Sequence, residues 1–342
     1  MIFLSETSYQ PLTASEIASL WSCYMSNSMT SCFLTYGLSI IQDQEVIPCV
    51  QKAYDDAVQA TTTIQNIFTN ENVPVPAGFT NEDVNTKAKP LFHDTFFLDY
   101  LNKMGKLGTV QYAKFHSSSA RKDIRAFFNN TLTQSSSMYD QTTEALQSKG
   151  MFIRSPYISV ADKVENVEKK QYYSGLNPFS DKRTLNVVEI QDLSLNMETN
   201  ILGVMISTGF GQTAASQKVR DYMLKGKDTS KKHVKKFGSV LANSDIQAPM
   251  TWDSSVIDSM EAPFSDKFMM FHMSTLSAAG ISNYGAAMSQ SLRSDLTFMY
   301  TRFTTEIAKF AKEGLDIMIE NGWMEEPPQA SDRDKMIKQR SE

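Results

Sequence analysis

The chain has 342 residues and a formal net charge of −5, with 41% hydrophobic and 11% aromatic residues. This length fits two domains of ~170 residues each, and the composition excludes an intrinsically disordered protein. The mild acidic charge gives no reason to expect a nucleic-acid partner, because such binders present a basic face. The apolar start Met1-Ile-Phe-Leu4 is too short, and lacks the basic flank, to predict a signal peptide. No apolar run approaches the roughly 18–20 residues that span a bilayer, and the three cysteines contain no CxxC pair. These features predict a soluble cytoplasmic protein without a membrane span.

The chain repeats itself after 172 residues (264 − 92), so the predicted elements come in two sets. The segment Phe92-His-Asp-Thr-Phe-Phe reappears as Phe264-Ser-Asp-Lys-Phe-Met. The same offset relates the pairs Gly108/Gly280, Tyr112/Tyr284, Ser117/Ser289, Ser119/Ser291, Arg121/Arg293, Asp123/Asp295, Thr133/Thr305 and Gly150/Gly322. Because different residue types match at one offset over a long span, we infer a tandem duplication.

Each copy begins with a helix that a capping box predicts. Thr13 with Glu16, and Asn186 with Glu189, have the spacing at which a side-chain oxygen caps the helix and a carboxylate bonds back to the cap. We interpret both glutamates as capping residues and not as a catalytic pair. The first helix should end near residue 42 in copy one and near 209 in copy two. There, Gly209-Phe-Gly-Gln-Thr-Ala214 is predicted to be a helix-ending turn.

Three further helices are predicted in each copy. They span about 45–68, 90–115 and 119–150 in the first copy and about 216–242, 263–287 and 291–322 in the second. Pro90 and Pro263 are expected in the first turn of the third helix, because proline suits that position. Ser119 and Ser291 are expected to be the N-caps of the fourth helix.

A long crossover separates the second helix from the third in each copy. It runs for about twenty residues and contains prolines, which disfavour helix. One long crossover distinguishes the ferritin-like bundle from a simple up-down bundle. The sequence therefore predicts an all-α fold of two tandem ferritin-like four-helix bundles. The predicted divisions are 1–150 for the first bundle, 151–183 for a linker, 184–328 for the second bundle and 329–342 for a mobile charged tail.

A ferritin-like bundle raises the question of a di-metal site, which needs Glu-x-x-His on two helices. That motif is missing from the sequence, which speaks against a standard di-iron or di-manganese oxidase. The remaining candidate ligands are His233, His272 and Glu198, which could share a single Fe, Mn or Zn ion inside the second bundle. We favour the alternative that both histidines are core residues with ordinary hydrogen-bond partners. We therefore predict no cofactor and no catalytic residue.

Two other groups of polar residues have both a structural and a functional interpretation. The lysine-rich segment 225–236 could bind phosphate or an acidic partner, but its spacing favours a solvated helix flank. The repeated Tyr112/Tyr284 and Asp94/Asp266 and the repeated Arg–Asp pairs could line a ligand pocket. We assign them to caps, loop anchoring and phenol hydrogen bonds, because repetition within one chain shows shared architecture first.

Several motifs resemble a known family. They are Leu12-Thr-Ala-Ser-Glu-Ile-Ala-x-Leu-Trp21, Pro76-Ala-Gly-Phe-Thr-x-x-Asp-Val84 and Leu91-Phe-x-Asp-Thr-Phe-Phe97 in copy one, and Ala248-Pro-Met-x-Trp-Asp253, Pro263-Phe-Ser-Asp-Lys-x-Met-Met-Phe-His272 and Asn321-Gly-Trp-x-Glu-x-Pro-Pro-Gln-Ala330 in copy two. These resemble a domain-of-unknown-function family of Bacillus-type spore-forming bacteria, made of two ferritin-like bundles and related to spore coat protein F. The resemblance implies this fold, a cytosolic or spore-associated setting and no established activity. It also implies a histidine on the second helix of both copies, and here Thr61 stands at the place matched to His233.

Three functions of different classes remain open from the sequence. We favour a non-enzymatic structural or interaction protein, spore-associated, with a protein partner or self-association. The alternative is a module that binds a metal ion or an apolar ligand inside the second bundle. The third is an atypical ferritin-like oxidase.

Overall fold

The structure is a computed structural model that describes residues 10–160, 162–176, 182–248 and 255–339. Most of these residues lie in eight long helices: α1 (Ala14–Ile40), α2 (Ile47–Asn70), α3 (Asp94–Ser117), α4 (Lys122–Ser148), α5 (Val187–Thr213), α6 (Gln217–Ala242), α7 (Asp266–Gln290) and α8 (Ser294–Glu320). A short helix, α9 (Arg333–Gln339), and two single 3-10 turns at Asn81–Asp83 and Lys170–Tyr173 complete the regular structure of these ranges.

Each repeat contributes four of the long helices. α1 packs on α2 and α3 on α4, and in the second repeat α5 packs on α6 and α7 on α8. Paired helices are joined by short turns, whereas the long connections to α3 and α7 are residues 71–93 in the first repeat and, of those that the structure describes, 243–248 and 255–265 in the second. This is the connectivity of ferritin-like bundles, and it confirms the predicted all-α fold of two tandem four-helix bundles. Within the described ranges the only β pairing is two isolated bridges, and no helix is long and apolar enough to cross a membrane.

The predicted capping boxes are present, and each glutamate serves two helices. The Thr13 side chain accepts from the Glu16 N–H, and the Thr13 N–H donates to Glu16 Oε2 (2.8 Å). Glu16 Oε1 also accepts from the N–H groups of Ala120 and Arg121 at the start of α4 (2.9 and 2.7 Å). Both Glu16 and its counterpart Glu189 are fully buried. The capping interpretation is confirmed, and the carboxylates also fasten the first helix of each bundle to the fourth.

The predicted starts of the third and fourth helices are wrong in both repeats. α3 and α7 begin at Asp94 and Asp266, so Pro90 and Pro263 precede the helices instead of lying in their first turn. The fourth helices are capped at Arg121 and Arg293, not at the predicted Ser119 and Ser291. Those two serine hydroxyls donate back to the carbonyls of Phe115 and Ala287 (both 2.8 Å), so they close the preceding helix.

The predicted helix-ending turn at Gly209 is also wrong, because α5 continues to Thr213. Gly209 serves a packing role instead. A Cβ atom at this position would lie 2.7 Å from the ring of Phe92, which belongs to the other repeat. Glycine is needed inside this helix because an aromatic ring occupies the space of a side chain.

The two crossovers pair with each other in an antiparallel arrangement that has local two-fold symmetry. One bridge joins Val84 to Phe264 and the other joins Phe92 to Val256. Residues 84 and 256, like 92 and 264, are 172 positions apart, so the symmetry exchanges the two bridges. The backbone hydrogen bonds form matched sets: Asn85 N–H to Pro263 C=O and Ile257 N–H to Leu91 C=O (both 2.8 Å), and Ser265 N–H to Asp83 C=O (3.0 Å) and His93 N–H to Ser255 C=O (3.1 Å). The duplicated halves meet as the subunits of an isologous dimer do.

One hydrophobic core extends through both repeats. Its centre is aromatic, and the ring of Phe33 lies within 6.5 Å of rings from both halves of the chain, among them Tyr100 (4.5 Å) and Phe264 (5.3 Å). A second, smaller cluster fills the distant end of the first bundle and consists of Leu20, Cys23, Ile64, Phe68, Phe115, Ile124 and Phe128. The two repeats are therefore packed into one unit through the first cluster.

The predicted linker lies partly against the bundles. Met151, Phe152 and Ile158 pack on the shared core, and the Arg183 guanidinium lies over the Tyr172 ring (3.9 Å). The tail carries the short helix α9, and residues 329–338 are exposed. The predicted mobility of this tail stays a prediction.

Candidate functional site

A stripe of buried polar residues runs along α5 inside the second bundle. Asp192, Asn196 and Asn200 recur every four residues and therefore lie on one helix face. Their exposed fractions are 6%, 1% and 7%. The stripe faces Tyr284 of α7 and His233 of α6, which are both fully buried. Buried polar groups need hydrogen-bond partners, so this polar interior is the candidate functional site of the second bundle.

Four of the side chains form one hydrogen-bonded chain from the interior to the surface. Asn200 Nδ2 donates to the Tyr284 hydroxyl (2.7 Å), which lies 2.9 Å from His233 Nδ1, and His233 Nε2 lies 3.1 Å from Glu306 Oε2. The Glu306 carboxylate can only accept, so the neutral imidazole carries its hydrogen on Nε2 and donates it to Glu306. His233 Nδ1 is then an acceptor, and the Tyr284 hydroxyl donates to it.

The outer end of this chain is a charged cluster. Glu306 accepts from Lys232 (2.7 Å) and from Arg302 (3.1 Å). Although burial acts to raise it, the hydrogen bonds from Lys232, His233 and Arg302 lower the pKa of Glu306 to about 2. Burial lowers the pKa of His233 to about 4, against the opposing effect of Glu306. The imidazole is therefore neutral at neutral pH. Its ring stacks on that of Phe303, with 3.7 Å between ring centroids.

Deeper in the bundle, the stripe has polar atoms that are not paired. Asp192 Oδ2 and Asn196 Oδ1 are buried and have no hydrogen-bond partner among the described residues. Burial, and the nearby charge of Glu189, raise the pKa of Asp192. The phenol of Tyr300 is fully buried beside these groups, and burial raises its pKa as well. This end of the second bundle therefore contains buried polar atoms whose hydrogen-bonding capacity is not fully used.

The first bundle has the same asparagine–tyrosine hydrogen bond but no histidine beside the tyrosine. Asn27 Nδ2 donates to the Tyr112 hydroxyl (3.0 Å), as Asn200 does to Tyr284. The positive-φ residues that follow the second helices, Asn72 and Asp245, are 173 apart, and this offset aligns Ala60 with His233. Ala60 is buried, as His233 is. The match of Thr61 to His233 is thus off by one residue, because the offset is 173 in this helix and becomes 172 within the crossover that follows it.

The three candidate metal ligands lie in different surroundings. His233 uses both ring nitrogens in the chain described above. His272 bonds through Nε2 to the Tyr100 hydroxyl (3.2 Å), and Glu198 forms an ion pair with Lys106 of the first repeat (2.8 Å). The structure therefore pairs the three side chains with different partners, and their shared metal ion stays a prediction. Over the described ranges, no group of three or more His, Cys, Asp or Glu side chains is placed to hold one.

His272 lies at the symmetric contact between the repeats. Its counterpart at the offset of 172 is Tyr100, so the two equivalent positions meet each other. Burial lowers the pKa of His272 to about 3. The ring meets those of Phe33 and Phe210 edge to face (both 5.5 Å). His272 is thus a core residue at the contact between the two repeats, and its Nδ1 atom has no hydrogen-bond partner within the described part of the chain.

The repeated polar residues hold the architecture in both copies. Asp94 Oδ2 accepts from two backbone N–H groups in the turn between α1 and α2 (2.9 and 2.7 Å), and Asp266 accepts from two between α5 and α6, one on each carboxylate oxygen (2.9 and 2.8 Å). Arg121 pairs with Asp123 (2.6 Å) and Arg293 with Asp295 (2.9 Å). The predicted assignment to caps, loop anchoring and phenol hydrogen bonds is confirmed.

The lysine-rich segment is a solvated flank that also bridges two helices. Lys218, Lys225 and Lys232 recur every seven residues on α6 and pair with Glu320, Glu313 and Glu306 on α8. An antiparallel ladder of this kind needs the same heptad spacing on both helices. The spacing of the glutamates was the signal that could have predicted the ladder.

Sequence reasoning selected His233 but missed its partners. Asn200, Tyr284 and Glu306 come from three other helices, and only the packing of the bundle brings them to the imidazole. A signal was nevertheless present, since Asp192, Asn196 and Asn200 place polar groups at helical spacing on an inward face.

Comparison with known proteins gives the family. A profile described as protein of unknown function (DUF3231) matches residues 5–164 and again residues 173–336. Among solved structures, the chain is similar to a protein of Bacillus halodurans C-125 that is provisionally described as a spore coat protein, with 16% identity and a TM-score of 0.40. The similarity covers 44% of this chain and 98% of that one. Curated proteins gave no match. The two successive profile matches cover nearly the whole sequence, and the chain belongs to the DUF3231 family of proteins of unknown function.

Proposed function

We propose that this chain is a non-enzymatic structural or interaction protein that works in a spore-associated setting. The observation that carries this proposal is the use of the repeated polar residues. Glu16 and Glu189 fasten helix ends, and Asp94 and Asp266 fasten turns. In a duplicated enzyme, the residues kept in both copies would be expected to face a reaction site.

The joined core supports a structural role. The two crossovers are hydrogen-bonded to each other, and aromatic rings from both repeats interdigitate around Phe33. Close-packed interiors of this kind resist deformation and transmit strain. A duplicated bundle with one core is therefore a stiff building block with two related halves.

The second bundle also exposes large apolar side chains where the first exposes small ones. Val187, Leu292 and Phe298 are 58%, 44% and 61% exposed near the starts of α5 and α8. Their counterparts in the first repeat are Ala14, Ala120 and Ala126. Exposed apolar groups that cluster at one end of a domain are typical of protein contacts. We infer that this end meets a protein partner, with a second copy of the chain as the first case to test.

The test is to follow the protein in its source bacterium during sporulation and to measure its self-association by analytical ultracentrifugation. We expect it in the spore coat fraction and expect Phe298→Ser to release it or to shift it to monomer. Val110→Ser is the matched control, because Val110 is 73% exposed on α3 of the first bundle. A wild-type protein that stays monomeric and outside the spore overturns the proposal.

Metal or apolar-ligand binding in the second bundle, and oxidase activity, stay the alternative predictions. Elemental analysis of protein purified without a histidine tag or chelator tests the metal case. Near-integral Fe, Mn or Zn that is lost in both His233→Ala and His272→Ala would replace the structural proposal with a metal-binding one. Turnover of peroxide or oxygen by that metal-loaded protein would point to the oxidase.

A further inference from the structure

The two bundles contain tyrosines at equivalent positions that have different hydrogen-bond partners. Tyr112 and Tyr284 each accept a hydrogen bond from an asparagine of the first helix, at 3.0 and 2.7 Å. Only Tyr284 has an imidazole nitrogen 2.9 Å from its hydroxyl. From this geometry we propose that Tyr284 is a redox-active tyrosine, at which a diffusible one-electron oxidant forms a neutral tyrosyl radical while His233 takes the phenolic proton.

The step is balanced by two transfers that leave the phenol together. One electron passes from the Tyr284 ring to the oxidant, for which an oxidising radical such as the azide radical can serve. The hydroxyl proton passes along the existing hydrogen bond to His233 Nδ1. The products are the Tyr284 phenoxyl radical, the His233 imidazolium and the reduced oxidant. The reverse step, electron return with the proton, restores the resting pair.

Burial makes the proton acceptor necessary. Burial raises the pKa of Tyr284, so the phenol does not ionise before it is oxidised. Removing an electron without moving the proton would leave a phenol radical cation in an apolar interior, where an uncompensated charge is costly. His233 Nδ1 is a free acceptor because the imidazole carries its hydrogen on Nε2. The acceptor therefore stands ready before oxidation begins.

Glu306 stabilises the charge that the step creates. The new imidazolium would donate its Nε2–H to a carboxylate whose oxygen lies 3.1 Å away. Charge-assisted hydrogen bonds of this kind are about twice as strong as neutral ones. Asn200 continues to donate to the phenoxyl oxygen and fixes its position. The proton is thus received by a pair that is already arranged as a base and its orienting carboxylate.

The surroundings of the ring would prolong the life of the radical. The Tyr284 ring is fully buried and packs near the rings of Phe237 (5.8 Å), Tyr300 (5.9 Å) and Phe303 (6.1 Å). These rings exclude water and dissolved quenchers from the phenoxyl oxygen. Exposed tyrosines, such as Tyr157 at 91%, lack this protection. The buried Tyr100 also meets an imidazole, His272 (3.2 Å), but the other ring nitrogen of His272 has no carboxylate partner among the described residues. The long-lived signal is therefore expected from Tyr284.

The experiment is pulse radiolysis with azide radicals on the full chain, followed by optical and electron paramagnetic resonance detection of the phenoxyl radical. We expect a long-lived radical that is lost in Tyr284→Phe and kept in Tyr112→Phe. His233→Phe should slow its formation by about 100-fold, the lower range for a positioned proton acceptor. Phenylalanine keeps the stack on Phe303, so the fold is expected to survive this change.

A measurement on the wild type alone keeps the test decisive if a variant fails to fold. Formation of the long-lived radical should be slower in D2O than in H2O, because the proton moves with the electron. Glu306→Gln should shorten the radical lifetime while leaving the His233 acceptor in place. A radical that survives in Tyr284→Phe, or a wild-type rate without an isotope effect, overturns the assignment.

Discussion

The interiors of the two bundles have the same frame and different contents. Both hold an Asn–Tyr pair, a buried capping glutamate and a glycine with positive φ after the fourth helix. The first bundle completes this frame with Ser19, Cys23, Ala60, Phe128 and Gln134, and the second with Asp192, Asn196, His233, Tyr300 and Glu306. The first bundle has the less polar residue at each of these positions, and the second contains a polar chain that reaches solvent at Glu306.

This difference shows which positions kept the same residue type in both repeats and which diverged after the duplication. Residues that close backbone N–H groups are the same or equivalent in both copies, because an unpaired buried donor is costly wherever the helix ends. Centre-facing side chains need only fill the space and pair their own polar atoms, so they could diverge together. His233 without Tyr284 and Glu306 would be a buried unsatisfied group, which explains why these residues occur as a set.

The largest expected effect tests whether the repeats share one core. Phe33→Ala should lower the free energy of unfolding by about 3–5 kcal/mol, as for other buried phenylalanines. Phe128→Ala is the matched control in the separate cluster of the first bundle. Native-state hydrogen exchange should show faster opening of α5 and α7 for Phe33→Ala and of the distant end of the first bundle for Phe128→Ala. Protection lost only in the first repeat for both variants would mean that the bundles are independent.

The two capping glutamates should differ in strength. Glu189 binds the Arg183 guanidinium in addition to backbone N–H groups, and Glu16 binds the Thr13 hydroxyl and backbone N–H groups. We expect Glu189→Gln to cost about 3 kcal/mol, the lower end for a broken buried ion pair. Glu16→Gln should cost about 2 kcal/mol, as for lost charge-assisted hydrogen bonds. Chemical denaturation measures both, and equal losses would show that Arg183 adds nothing.

The buried histidines should make the protein sensitive to acid. The pKa values of His233 and His272 are lowered by burial to about 4 and about 3, from an ordinary value near 6.5. The unfolded chain therefore binds more protons below pH ~6.5, and stability falls as the pH decreases through that window. His233→Phe should reduce the slope between pH ~4 and ~6.5 by up to about 1.4 kcal/mol per pH unit.

The control for this prediction is the second histidine. His272→Phe should remove a similar part of the slope, and the double variant should remove both parts, because the two side chains have different partners. Urea unfolding at a series of pH values gives the slopes. A slope that is unchanged in the double variant would assign the acid sensitivity to other groups.

The smallest expected effect concerns the ladder between α6 and α8. Lys225→Gln should cost less than about 1 kcal/mol, because both partners are roughly half exposed and solvent screens the pair. High salt should abolish the difference from the wild type. Lys52→Gln is the equivalent change in the first bundle, where the lysine pairs within its own helix. An effect of Lys225→Gln that persists in high salt would indicate a packing role for its aliphatic stem.

The sequence was sufficient for the fold of each half because the deciding signals are local. The capping boxes at Thr13 and Asn186, the helix periodicity and the proline-containing crossovers each depend on residues within a few turns of one another. The nearly constant offset, 173 in the first two helices and 172 afterwards, then required both halves to fold alike. Errors occurred where a local signal was ambiguous. Ser119 and Ser291 could cap either of two adjoining helices, and Gly209 could end a helix or admit a neighbouring ring.

Only the tertiary structure decided how the two repeats contact each other and which partners surround each buried polar group. The contact of Tyr100 with His272, and the assembly of Asn200, Tyr284, His233 and Glu306, join residues that are from 51 to 172 positions apart. No periodicity specifies which of several inward polar residues will meet, because this depends on the rotation and height of packed helices. The sequence by itself determined the two bundles and their capping residues. Helix packing determined the contact between the repeats and the Asn200–Tyr284–His233–Glu306 hydrogen bonds, because side chains from different helices meet only where the packed helices bring them together.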